Sequence, residues 1–318
     1  MSFTQINLAN IPAPAIVEAL DYETLLAALL ADLQARDPVF TALVESDPAY
    51  KILEVAAYRE LLIRQRINDA ARGVMLAYAV GTDLDHLAAN FNVSRLLITP
   101  ANDSAIPPIP AVYESDDPFR SRTQLAFEGL STAGPVGSYI FHGLSAHGQV
   151  KDIGVESVAF HISAGGSIVI DDAAHLTTPE PGHVAITVLS RVGNGTADSG
   201  LLAAVSAALN QQTVRPLNDR VIVRSAAIIP YVVTATLVFY DGPSAATVMQ
   251  AAEAAVQTYV SAQHKIGHDV TRSGLFAALH QSGVQNVTLT SPTSDLFIEH
   301  HQAAYCTGVT LTNGGVSV

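Results

Sequence analysis

At 318 residues the chain is longer than one ordinary core needs, and two or three domains are expected. Apolar residues make up 49% but charged ones only 14%, against about 25% in an average soluble chain, which leaves a membrane protein or one whose surface partners cover. A net charge of −13 argues against nucleic acid as a partner, the absence of tryptophan counts against a sugar-binding surface, and the single Cys306 excludes a disulfide framework.

The first residues, Met1 to Val17, lack a basic stretch and carry Asn7, Asn10, Pro12 and Pro14, so they do not read as a signal peptide. Leu25, Leu26, Leu29, Leu30 and Leu33 recur at helical spacing and predict a helix over 21–36. Asp37-Pro38 ends it, because the residue before proline is pushed out of the helical region. Asp47 and Pro48 form the next start signal, and no Gly or Pro interrupts until Gly73. Ile52, Ala56, Ile63, Ile67, Ala70, Val74 and Ala77 follow in helical steps, a stripe broken only by Arg59. Glu60 and Arg64 pair at i,i+4 on another face. With Gly81 as its C-terminal cap, this helix would be a rod roughly 48 Å long. Leu61, Leu62 and Leu76 widen its apolar surface beyond one seam, so it needs neighbours.

Thr82 is placed to cap a short helix, with Asp83 and Asp85 in its first turn and an end near Asn92. Pro100, Pro107, Pro108, Pro110 and Pro118 mark 99–117 as a stiff, extended linker. Asp117-Pro118 opens a helix to about Ser131, and 138–147 predicts another. The apolar period then changes from helical to alternating. Phe160 and Ile162, the turn Gly165-Gly166, and Ile168 and Ile170 predict a β-hairpin. Strands follow at Val184–Val188 and Val221–Val223, around a helix over 201–209. The run Ala226 to Tyr240 falls short of the about 20 residues of a membrane span and holds Pro230. Its part from Tyr231 is the strongest strand. Ser244 opens a helix to about His264, a second covers 275–280, and the last strands are 284–289 and 307–312. The expected fold class is α+β. A helical region with one long bundle-forming helix occupies 1–98, a linker 99–117 and a helical connector 118–150. Two small α/β sandwich-like domains follow at 151–227, with the hairpin inserted, and 228–318.

Chemistry is harder to find. His264 and His268 stand at i,i+4, yet Gly267 lies between them and no Glu follows the first, so capping or solvated roles are favoured over a metal. Glu299-His300-His301 has the right residue types, but neighbours in a strand face opposite ways, and only a loop would override that. Asp83 and Asp85 read as helix-start residues rather than a catalytic pair. Ser131, Ser138 or Ser145 with His142 or His147 lacks the G-x-S-x-G setting of a nucleophile. Gly165-Gly166 and Gly193-Asn194-Gly195 are turns, not phosphate cradles, and Cys306 reads as a small core residue. No catalytic residue, metal ligand or cofactor is expected, and the chain is not expected to be an enzyme. The alternative that the histidines keep open is a metal-dependent hydrolase acting on cell-wall material. A host-surface adhesin is a further one, against which the few aromatic residues count.

The stretch from Tyr58-Arg59-Glu60-Leu61-Leu62-Ile63-Arg64-Gln65-Arg66-Ile67-Asn68-Asp69-Ala70-Ala71 through Met75-Leu76-Ala77-Tyr78-Ala79 to Gly81-Thr82-Asp83-Leu84-Asp85-His86-Leu87-Ala88 closely resembles the baseplate J-like proteins. These are wedge subunits of contractile phage tails and related injection machines. Glu114 with Asp116 to Arg122, Ser131-Thr132-Ala133-Gly134-Pro135, Val214-Arg215-Pro216-Leu217-Asn218-Asp219, Leu279-His280 with Gly283-Val284, and Cys306-Thr307-Gly308 also look like the family. The resemblance runs along nearly the whole chain, except that Val155 to Pro181 is longer than the family suggests. That insertion, 157–178, holds the hairpin, which could be a subtype-specific contact.

The resemblance implies a structural protein of a virion tail baseplate, or of a tail-like bacteriocin particle, assembled in the bacterial cytoplasm. Its implied partners are a second copy of itself in a different conformation, a smaller wedge subunit, neighbouring wedges, the central hub and spike, and sheath-initiating proteins. No nucleic acid and no membrane insertion are expected. The ring of wedges is expected to widen when the sheath contracts. On the long helix, Ile52, Ala56, Ile63, Ile67, Ala70 and Val74 are expected to face the shared bundle; the competing reading packs them only against the chain's own helices at 21–36 and 83–91. Arg59 and Arg64 are possible interface charges or simply solvated. A chain so poor in charge suits obligate interfaces of about 2,000 Å² or more.

Overall fold

The structure is a computed structural model that describes residues 6–14, 16–40, 43–131, 133–242 and 244–317. It divides into two compact units. One comprises the chain up to Arg95 together with Ser115–Gln124; the other comprises Leu96–Glu114 and everything from Leu125 onward.

The first unit is helical. Helix α1 (Tyr22–Arg36) starts where the Asp21 carboxylate accepts the Thr24 N–H and stops at Asp37, before Pro38. Helix α2 (Pro48–Gly73) has Pro48 in its first turn and, at 26 residues, is about 39 Å long. The expected extension to Gly81 does not occur. A Cβ on Gly73 would lie 2.9 Å from the Asp83 carboxylate, so the Asp83 side chain packs directly against the end of the helix. Beyond the helix end, the freed carbonyls of Leu76 and Ala79 accept from the Arg120 guanidinium at 2.8 and 2.6 Å. Gly81 is therefore the first residue of α3 (Gly81–Ala89), with φ +55°, and not a C-terminal cap. Its N–H donates to Asp116 at 3.1 Å, and Thr82, expected as the cap, makes no capping bond. Helix α4 (Asp116–Gln124) completes the unit. Leu84, Ala88, Val93 and Phe119 are buried, and the Arg95 guanidinium lies 4.6 Å from the Phe119 ring centroid.

The second unit opens with β1 (Leu97–Thr99) and β2 (Val112–Tyr113), paired antiparallel with Leu97 opposite Tyr113. Asn102 and Ile109 are bridged inside the excursion. The extended linker expected over 99–117 is thus corrected: this proline-rich stretch doubles back on itself. Helix α5 (Val136–Ser145) precedes β3 (Val150–Ser157). The predicted hairpin is β4 (Ala159–Ile162) and β5 (Ile168–Asp172), with Phe160 opposite Ile170 and Ile162 opposite Ile168. Then come β6 (His183–Ser190), α6 (Ser199–Leu209) and β7 (Arg220–Ser225). Strand β6 lies between β3, antiparallel, and β7, parallel, and is buried at every position. Tyr139, Ile153, Ile186, Val188, Leu201 and Val205 form this core.

The last part builds a second sheet from β8 (Ala227–Phe239), β9 (Val284–Ser291) and β10 (Gln302–Val316), with α7 (Ala245–Gln263) and α8 (Arg272–Leu279) between β8 and β9. Strand β8 is central, parallel to β10 and antiparallel to β9. Tyr231, Val233, Ala235, Leu237 and Phe239 alternate inward and join Val248, Ala252, Val256 and Val260, one face of α7 at i,i+4 spacing. Each large apolar side chain buried this way contributes about 1.5–3 kcal/mol. The two strand–helix–strand passages are not copies: the strand after α6 returns parallel, the strand after α8 antiparallel. The half-buried Asp152 carboxylate of β3 accepts the Ile266 N–H at 2.9 Å and ties the two sheets' neighbourhoods together.

Candidate assembly interface

Helix α2 has one side committed to its own chain. Ala57 and Asn68 are its buried residues. The Asn68 amide clamps the backbone of Glu18, accepting its N–H at 3.0 Å and donating to its carbonyl at 2.9 Å. Tyr78 donates to the Ile11 carbonyl at 2.6 Å, which fixes the N-terminal segment further along.

The predicted stripe lies elsewhere on the helix. At about 100° per residue, Ile52, Ala56, Ile63, Ile67 and Ala70 fall within about 60° of arc, and Ala57, Leu61 and Asn68 lie about 120° further round. All six stripe residues are exposed. Ile52 keeps 69% of its surface in solvent, Ile63 62%, Ile67 54% and Val74 70%. Val74 stands just past the helix end. Val55, Tyr58 and Leu62 are exposed as well, so the apolar surface exceeds a single seam. Packing against α1 and α3 does not cover it.

The two flanking arginines differ. Arg64 is engaged at home: it bonds Glu60 at 2.7 Å and Glu18 at 2.8 Å, and these bonds hold its guanidinium above its ordinary pKa. Arg59 makes no hydrogen bond or ion pair with a described residue, and with Leu62, Ile63 and Asp69 it lines a shallow depression. Of the two charges, Arg59 is the one left for a partner.

The remaining sequence signals resolve into structural pins. Arg95 bonds Asp85 at 2.6 Å and Asp116 at 2.5 Å, so the two aspartate-bearing stretches meet over Phe119. Gly134, at φ +73°, packs where a Cβ would lie 2.6 Å from Pro216, and the Tyr139 hydroxyl donates to Asp219 at 2.6 Å. Gly134 of the one family-like stretch therefore packs directly on Pro216 and Asp219 of the other.

No serine–histidine pair forms among the residues singled out. The Ser138 hydroxyl donates to the Ser131 carbonyl, His142 bonds the Gly129 carbonyl, and His147 accepts the Gln149 N–H. His264 sits at the end of α7 with Nδ1 2.6 Å from the Ala304 carbonyl, and burial holds it below its ordinary pKa. Burial likewise pushes the Cys306 thiol up, away from the thiolate. Among the described residues one group, His175, Glu299 and His301, brings three metal-binding side chains together, and neither His264 nor His268 belongs to it. Glu299 and His301 were anticipated only if a loop held them; His175 was missed, because nothing local marks it. No helix among the described residues is long and apolar enough to cross a membrane.

Residues 45–102 match the Baseplate J-like N-terminal domain, and residues 231–312 match the Baseplate J-like protein C-terminal domain. The first match contains α2 with its exposed stripe. Over 317 residues, covering 98% of each, the chain is 47% identical to Baseplate protein J of Escherichia phage P2. Among solved structures, a chain of the cryo-EM anti-feeding prophage baseplate, 6-fold symmetrised, aligns at TM-score 0.41 and 16% identity, covering 63% of this chain and 44% of that one. On the full-length identity, this chain belongs to the baseplate J-like protein family.

Proposed function

We propose that the chain is a wedge subunit of a contractile-tail baseplate whose α2 stripe packs into a bundle shared with a second copy, in a different conformation, and with a smaller wedge subunit. Family membership supports the structural baseplate role. The observation that carries the bundle is specific: Ile52, Ile63, Ile67 and Val74 are exposed on a helix whose other side already has its intramolecular contacts. A fold that leaves so much apolar surface on one rod gains by burying it against another helix. Arg59, unpaired beside Ile63, would meet a partner carboxylate.

In this reading the N-terminal unit supplies the bundle. The regions 151–227 and 228–318 contact the second copy, neighbouring wedges, the hub and spike, and sheath-initiating proteins. Assembly takes place in the bacterial cytoplasm, the ring widens on contraction, and no step is catalytic. Co-expression with the smaller wedge subunit, followed by light scattering, tests it. A complex with two copies of this chain to one partner is expected; a monomer indifferent to that partner would overturn the proposal.

A further inference from the structure

We infer that His175, Glu299 and His301 form a binding site for one divalent transition-metal ion of the zinc class, which ties the inserted hairpin region to the turn that opens β10.

The donors are already oriented. His175 Nδ1 lies 3.0 Å from Glu156 Oε1, and the other oxygen of Glu156 accepts from Arg224 at 2.7 Å. A carboxylate only accepts, so His175 Nδ1 carries a proton, and in the neutral ring Nε2 is the atom free to bind a metal. A carboxylate behind the far ring nitrogen is the arrangement that fixes metal-binding histidines. Arg224 also donates to the His175 carbonyl at 2.8 Å, which holds the backbone. Ala174 and His175 both have left-handed backbones, φ +48° and +54°, a conformation rare for side-chain-bearing residues. Two such residues in succession turn the imidazole toward Glu156 and Glu299.

His175 Nε2 lies 3.3 Å from Glu299 Oε2, and His301 Nδ1 faces the same oxygen at 3.5 Å. His301 Nδ1 is buried and has no hydrogen-bond partner among the described residues. The two rings stack with centroids 4.1 Å apart. Acceptors converging on one carboxylate oxygen repel unless positive charge lies among them. A protonated His175 would bridge Glu156 and Glu299 but leave the buried His301 Nδ1 unsatisfied, whereas a single metal cation satisfies all three donors. The two distances to Glu299 fit: metal bonds of about 2.0–2.1 Å in a tetrahedron put neighbouring donors about 3.3 Å apart, and all three donor atoms lie within 4.8 Å of one another. Two imidazoles and a carboxylate are the donor types zinc takes.

The strand objection does not apply here. Glu299 and His301 lie in a turn closed by the Gln302 N–H donating to the Glu299 carbonyl at 2.8 Å, so residues two apart are presented together while His300 is left out. The exposed side of Glu299 leaves the fourth position to water. This departs from the expectation of no metal ligand drawn from sequence, and it does not depend on the assembly proposal.

The test uses the full-length chain, stripped with EDTA, dialysed, and titrated with Zn²⁺ by calorimetry; Co²⁺ absorption reports the geometry. One equivalent should bind, with the visible band of tetrahedral cobalt. Glu299→Gln, which keeps the side chain's shape, and His301→Ala should each weaken binding at least tenfold, while His161→Ala should leave it unchanged. Absence of stoichiometric zinc binding and of the cobalt band in the wild-type chain would overturn the site, whatever the variants do. So would Glu299→Gln that binds like wild type.

Discussion

Replacing Ile63 and Ile67 together by aspartate separates the two uses of α2. Both are more than half exposed, at 62% and 54%. Burying an isoleucine side chain fully contributes about 1.5–3 kcal/mol, so covering what these two still expose contributes roughly 2–3.5 kcal/mol together. A carboxylate left unpaired in an apolar contact costs several kcal/mol more. The bundle should therefore lose about 4 kcal/mol or more, close to a thousandfold in Kd. The isolated chain should hardly notice, since exchanging exposed helical residues changes stability by roughly 0.5 kcal/mol. Size-exclusion chromatography with light scattering on the co-expressed pair, alongside thermal unfolding of the variant alone, reads both quantities. An intact complex would refute the assignment of this face. So would a collapsed unfolding midpoint, which would mean that the stripe lies inside the fold.

Arg95→Ala should do the opposite, lowering the chain's own stability by about 2–3 kcal/mol, because it strands Asp85 and Asp116 over Phe119 while Asp85 stays partly solvated. Urea unfolding followed by circular dichroism checks this, and a loss below ~1 kcal/mol would contradict the pinning role. Lys151 gives a pH signature. Burial pulls its ammonium down to about 8, so between there and its unfolded value near 10.5 the unfolded chain holds the extra proton and stability rises with pH. Lys151→Met should be more stable than wild type at pH 7, with an advantage that shrinks as the pH rises through 8 to 10.5. An advantage that stays constant across denaturation curves in that range would remove burial of the charge as its cause.

Elements with local signals were legible from the chain. The helix over 21–36, the hairpin over 160–170 and the strand from Tyr231 follow from residues close in sequence. The end of α2 was not, because Arg120 and Asp83 set it from outside the helix. Proline content made 99–117 look extended, whereas the pairing of Leu97 with Tyr113 closes it into a loop. Helical periodicity marked which residues of α2 share a face, but exposure was needed to show that this face is not spent inside the chain. The His175 cluster was hidden for a different reason: its ligands come from two distant turns, and their left-handed and turn geometry has no signature in composition.

The discontinuity of the first unit has a bearing on synthesis. At about 5–20 residues per second, α2 leaves the ribosome several seconds before α4 is complete. Until Asp116 and Arg120 emerge, the Gly81 N–H and the carbonyls of Leu76 and Ala79 lack the partners those residues supply, and Arg95 lacks its bond to Asp116. The apolar stripe is on display throughout that interval. A nascent chain halted within the proline stretch would thus present the adhesive side of α2 without the core that steadies it. The 96–114 excursion sets a delay between making the docking helix and finishing the body that carries it.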